Sequence, residues 1–244
     1  MKIKINNSTY ICLLLSFLAG YFEYVYLFLL IILIHECGHM LFSKIINFKF
    51  ESIVLYPFGG LTIYNEDLNV STNKELFVLI GGITFQILFL IFTYILYNNS
   101  YITLHTFTII KKVNILLISF NFMPVLPLDG GKLINIILDK IFSYKLSNTF
   151  SIIMSILFIC IFILKNKTFL GIILTLFLIK NIIIEITNLK YKYNKFLLER
   201  YINNYNFKKT IIIKDINKFK RDRKHIINNE LEHDFLCKLF DTGK

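Results

Sequence analysis

The chain has 244 residues, 55% of them hydrophobic and only 18% charged, with a mean hydropathy of +0.61. That balance excludes an ordinary water-soluble globule and points to one membrane domain with a short appendix. The formal charge of +11 is concentrated after Lys190, where Lys and Arg outnumber Asp and Glu by 13 to 7 and where all three arginines fall. A basic flank beside membrane spans reports cytoplasmic retention and attraction to anionic lipid, and argues against nucleic acid as a partner. Cys12, Cys37, Cys160 and Cys237 show neither CxxC pairing nor framework spacing, so disulfides and a thiolate zinc site are not indicated.

Two lysines precede the first apolar stretch without a small-residue cleavage site, so an uncleaved first span is expected. Residues 9–48 are almost continuously apolar, interrupted by Glu23, by His35, Glu36 and His39, and by Lys44. That length accommodates two helices with a turn near Gly20. Residues 48–64 place β-branched and aromatic residues around Pro57-Phe58-Gly59-Gly60. This is the grammar of a short hairpin whose strand edge can pair with an extended peptide, although an ordinary connecting loop fits the composition equally well.

Further apolar runs over 76–97, 105–128, 146–164 and 168–189 bring the count to six spans. The expected fold is an all-α polytopic membrane protein: about six transmembrane helices in residues 1–190, a short membrane-associated β-hairpin, and a small basic tail over 191–244. Six spans put both ends of the chain on one side, and the lysine distribution marks that side as cytoplasmic. The tail is expected to form a small strand and helix unit or to stay partly disordered, with His225 and His233 solvated.

The feature that carries chemistry is His35-Glu36-Cys37-Gly38-His39 inside an apolar helix. Histidines at i and i+4 share one helical face, close enough for both imidazoles to bind one zinc ion, while the intervening Glu reaches water at the metal. Cys37 points away from that face. Each ionisable group at bilayer depth costs ~2.5 kcal/mol or more unless paired or bound, so three together call for a metal. Catalytic zinc takes three protein donors and leaves one position open. The remaining acids in apolar runs are Glu23, Glu185 and Asp129. Asp129 follows Asn121-Phe-Met-Pro-Val-Leu-Pro-Leu, where Pro124 and Pro127 break the helix and Gly130-Gly131 permit a sharp turn that aims the carboxylate inward. An Asp capping a helix that starts at Gly131 is the alternative.

The pair of motifs, His35-Glu36-x-x-His39 in a second span and Leu128-Asp129-Gly130 after Asn121-x-x-Pro124-x-x-Pro127, resembles the site-2 protease family of intramembrane zinc metalloproteases, peptidase family M50. The Pro57-Phe58-Gly59-Gly60 turn and the two prolines of the second motif resemble its sporulation branch. The resemblance implies one zinc ion per chain held by His35, His39 and Asp129, with Glu36 as catalytic base. It places the substrate near Asn121, Pro124, Pro127, Phe58, Gly59 and Gly60. The implied partners are a membrane-tethered protein substrate such as a pro-sigma factor, the lipid bilayer, and membrane inhibitor or regulator proteins. The family's usual Gly-Pro pair in the third span is Gly81-Gly82-Ile83 here, followed by Gln86. Two other readings fit buried His, Glu and Asp: a membrane metal-ion transporter and a non-catalytic metal-binding scaffold.

Overall fold

The computed structural model describes residues 2–48, 50–56, 59–64, 68–166, 168–203 and 205–241. Phe58, expected near the substrate, lies outside them. The chain divides into two compact units, Met1–Glu66 with Leu76–Asn121, and Asp67–Glu75 with Phe122–Lys244.

The first unit opens with strand β1 (Lys2–Ile5), helix α1 (Asn7–Leu18) and helix α2 (Phe22–Ile45). Gly20 turns the chain between the helices at φ 75°, a left-handed conformation that a side chain would strain. Residues 48–64 form the expected hairpin, β2 (Phe50–Tyr56) antiparallel to β3 (Gly59–Tyr64). The sequence gave no warning that β1 would pair in parallel with β2, making a three-stranded sheet in the order β1-β2-β3. Thr9 Oγ1 and the Asn6 N–H both donate to the Leu55 carbonyl at 3.0 Å, fastening the start of α1 to β2. Helices α3 (Thr72–Asn98) and α4 (Leu104–Asn121) follow. Ile53 and Leu55 of β2 pack with Leu27, Ile31 and Ile32 of α2 and Ile109, Ile110 and Leu117 of α4, so the sheet is bonded to the helix that carries the histidines.

Four described helices are long and apolar enough to cross a membrane: α2, α3, α6 (Tyr144–Lys165) and α7 (Phe169–Asn203). The other two expected spans are the 12-residue α1, only ~18 Å long against a ~30 Å hydrocarbon core, and the 18-residue α4, which carries Lys111 and Lys112 in its middle. The fourth run also ends earlier than expected, because α4 stops at Asn121 and a separate helix, α5 (Asp129–Ile141), begins eight residues on.

In the second unit α5 packs on α6, and α6 on α7. Residues 210–241 are folded: β4 (Thr210–Ile213), β5 (Lys224–Ile227) and β6 (Glu230–Leu231) form a sheet beside α8 (Glu232–Asp241). Its core joins Ile213, Phe219, Ile227 and Leu236 to Tyr144, Phe196 and Leu197. The expectation that His225 is solvated is corrected: it is fully buried, beside Glu232 Oε2 at 3.1 Å and Arg200 Nη1 at 3.2 Å, and its Nε2 accepts from the Lys220 N–H. Burial holds its pKa below the usual imidazole value. His233 is exposed, as expected.

Asp139 of α5 is buried against Ser147 and Arg221. Burial raises its pKa to about 6, with Arg221 and Ser147 opposing the rise. The folded state therefore holds this proton more tightly than the unfolded chain does. The stability so gained is complete below the ordinary carboxyl value and lost as pH rises through about 6. Melting of the detergent-solubilised protein should show wild type gaining on Asp139→Asn as pH falls from 7 towards 4.5; a constant difference would contradict this.

Candidate metal centre

Along α2, Leu27, Ile31, Ile32, His35, Glu36, Gly38, His39, Met40 and Ser43 form the buried stripe, so the helical period that packs the helix also turns His35, Glu36 and His39 inward. Cys37 falls on the side that packs against the aliphatic core, in keeping with its exclusion as a ligand. The two imidazoles meet edge to face, with His35 Nε2 and His39 Nε2 3.0 Å apart.

Their outer nitrogens decide what that approach means. His39 Nδ1 lies 2.9 Å from the Val78 carbonyl, which can only accept, so Nδ1 carries the proton and Nε2 presents a lone pair. His35 Nδ1 lies 3.0 Å from Gln86 Oε1, which fixes the same tautomer. Two lone pairs thus converge in a buried site, the arrangement that a shared divalent cation satisfies and that outer-sphere partners of metal-bound histidines typically impose. The residues fit zinc.

Helix α3 shapes the space around the rings. Val78, Gly82 and Gln86 are spaced by four residues and lie on one face of it. A Cβ on Gly82 would stand 2.5 Å from His35 Cε1 and 2.6 Å from His39 Nε2, so only glycine fits. Asn114 of α4 donates to the Gln86 carbonyl at 2.9 Å, steadying that turn. The sequence reading assigned no role to Gly82 or Gln86; the available signal was a Gln in an apolar run, one turn after a Gly-Gly pair.

Glu36 is buried on the other side of the pair, and β3 passes directly over it. A Cβ on Gly60 would lie 2.4 Å from Glu36 Cγ and 2.7 Å from Oε1. Gly60 and the adjacent Gly59 therefore start an edge strand beside the candidate base. The Asn121 amide, at the end of α4, comes within 3.4 Å of His35 Nε2.

Asp129, Pro124 and Pro127 belong to the second unit. Asp129 is buried at the first position of α5, preceded by Leu128 in extended backbone, and Lys132 Nζ lies 3.6 Å from its Oδ1. The helix begins at Asp129 itself, two residues before the start that a capping Asp would have required. A Cβ on Gly130 would stand 2.3 Å from the Phe122 carbonyl oxygen, and one on Gly131 2.5 Å from the Leu126 nitrogen. The proline-containing segment is thus folded tightly over the start of α5, and the Leu126 N–H donates to Ser155 Oγ at 3.0 Å.

The profile of peptidase family M50 matches residues 23–102 and 98–164. The chain belongs to peptidase family M50. It is similar to stage IV sporulation protein FB of Bacillus subtilis (strain 168), with 28% identity over 207 residues that cover 82% of this chain and 72% of that protein. It is also similar to a zinc metalloprotease of Methanocaldococcus jannaschii, with 31% identity over 126 residues, 50% of this chain and 35% of that one. Among solved structures, a site-2 protease from Methanocaldococcus jannaschii shares the fold, with a TM-score of 0.58 and 24% identity over 75% of this chain and 89% of that chain. This M50 peptidase is an integral membrane zinc metalloendopeptidase of the site-2 type.

Replacing Gln86 with Leu should free the His35 ring and weaken zinc retention by about 10- to 100-fold in chelator competition. Gly82→Ala should abolish retention while helical circular dichroism is preserved, because the added methyl occupies the space between the two rings.

Proposed function

We propose that this M50 peptidase cleaves a peptide bond in or near the membrane segment of a membrane-tethered regulatory protein. A precursor of a sigma factor used in sporulation is the substrate that the similarity to stage IV sporulation protein FB supports. The observation that carries the catalytic reading is the convergence of two metal-competent imidazoles with Glu36 directly beneath Gly60 of an edge strand.

One zinc ion per chain is held by His35, His39 and Asp129, a donor set of two imidazoles and a carboxylate, all buried. When bound, zinc supplies a Lewis acid that acidifies water and polarises a carbonyl. Glu36 takes the proton from the attacking water and returns it to the leaving amine. Asn121 offers an amide donor to the oxyanion. A helical substrate has its carbonyls bonded internally, so it must be unwound to react. The outer edge of β3, last in its sheet, holds the extended form by strand addition, with Phe58, Gly59 and Gly60 at its start and Pro124 and Pro127 shaping the opposite approach.

Counting the short α1 and the lysine-bearing α4, residues 1–190 form six membrane segments. Both termini and the basic region 191–244 then lie on the cytoplasmic side of a bacterial cell or forespore membrane, where membrane inhibitor or regulator proteins restrain cleavage.

Co-expression with candidate membrane-tethered precursors should shorten one of them with the wild-type chain and none with Glu36→Gln, while the purified variant keeps its zinc; shortening by the variant refutes the role of Glu36. Asp129→Ala should bind zinc well below one equivalent as well as lose activity. Unchanged stoichiometry would remove Asp129 from the ligand set.

A further inference from the structure

The segment 68–75, which leads into α3, is gripped by residues from the far end of the chain. The Glu199 carboxylate accepts from the Leu68 N–H at 2.7 Å and from Asn69 Nδ2 at 3.1 Å, and Arg200 Nε donates to Asn69 Oδ1 at 2.6 Å. Asp222 Oδ2 accepts from the Thr72 N–H and hydroxyl at 3.1 and 2.6 Å. Between these contacts stands Arg221, whose side chain is 5% exposed. Its Nη2 donates to the Val70 carbonyl, and its Nη1 lies 2.8 Å from Glu75 Oε2 and 3.2 Å from Asp139 Oδ2. Burial works against the charge, but Glu75 and Asp139 outweigh it and keep the guanidinium protonated.

Those two carboxylates sit on helices that matter to the reaction. Glu75 is in the first turn of α3, three residues before Val78, whose carbonyl takes the His39 proton, and the same helix face continues to Gly82 and Gln86. Asp139 is ten residues along α5 from Asp129, about 15 Å on one rigid helix. A guanidinium is suited to such a bridge because its planar fork addresses several acceptors at once, which a lysine ammonium does less rigidly.

We propose that Arg221 is a positioning residue for the metal centre: by tying the first turn of α3 to the far end of α5, it fixes the two helices that present the partners of the histidines and the carboxylate of Asp129. The proposal rests on the reading of Asp129 as a zinc ligand. It gives the basic C-terminal region a direct part in catalysis through metal affinity rather than through contact with substrate.

The test is chelator competition for zinc on the purified full-length protein, below its melting temperature, with cobalt substitution as a spectroscopic check of coordination. Arg221→Gln should weaken zinc retention about tenfold, the lower end of what lost outer support costs. It should also broaden the cobalt d–d bands. Arg221→Lys should restore part of both, and Arg223→Gln neither weakens nor alters them. A purely structural role would lower the melting temperature and leave the affinity of the folded protein unchanged, and that result overturns the proposal. If Arg221→Gln fails to fold, Glu75→Gln removes only the α3 arm and should weaken zinc severalfold; wild-type affinity there overturns it equally. Asp129→Ala is the separating control: retained affinity in that variant sinks the ligand reading itself, whereas lost affinity with unchanged Arg221 and Glu75 variants sinks only this proposal.

Discussion

Two imidazoles turned toward each other at 3.0 Å, each held by a proton that it donates outward, set the terms for the first unit. Like partial charges at that distance repel, and in a low-dielectric interior the repulsion is not screened. The arrangement is stable only when something positive lies between the rings, and everything around them is consistent with that demand. Glycine on α3 leaves the space open, a glutamine and a backbone carbonyl choose the tautomers, and the apolar packing of α2 against β2 and α4 keeps the rings from swinging into lipid.

The parts of the site that the sequence made legible are those governed by local period. His35 and His39 share a face because four residues make one helical turn, and the hairpin announced itself through β-branched residues around a Gly-Gly turn. What stayed hidden depends on distant partners. Gln86 reaches His35 across 51 positions, and nothing near Gln86 in the chain marks it as anything but a stray polar residue in an apolar helix. The alternation Lys-Ile-Lys-Ile at the N-terminus was a visible period-two signal, but it was read as a charged flank because its partner strand comes fifty residues later.

The basic C-terminal region is the larger discrepancy. Its composition suggested solvated charge, yet Arg200 and Arg221 are buried and paired with carboxylates, Arg221 across 146 positions to Glu75. Removing one partner from such a pair leaves a buried charge uncompensated, which makes these residues far less dispensable than surface cations. Short strands in this region gain their core from Tyr144, Phe196 and Leu197 on the long helices, which is why some thirty residues fold where they would not alone.

At the crossing of α2 and α3, a Cβ on Gly38 would stand 2.3 Å from the Gly81 carbonyl oxygen, and one on Gly81 2.7 Å from that of Gly38. Backbones touching this closely behave as a pivot. Sliding α3 lengthwise would drive a neighbouring side chain into the contact, whereas a small rocking about it meets no such obstacle. Any admission of a bulky polypeptide between these helices must therefore proceed by tilting around a fulcrum one helical turn from the imidazoles, with their depth in the bilayer held constant.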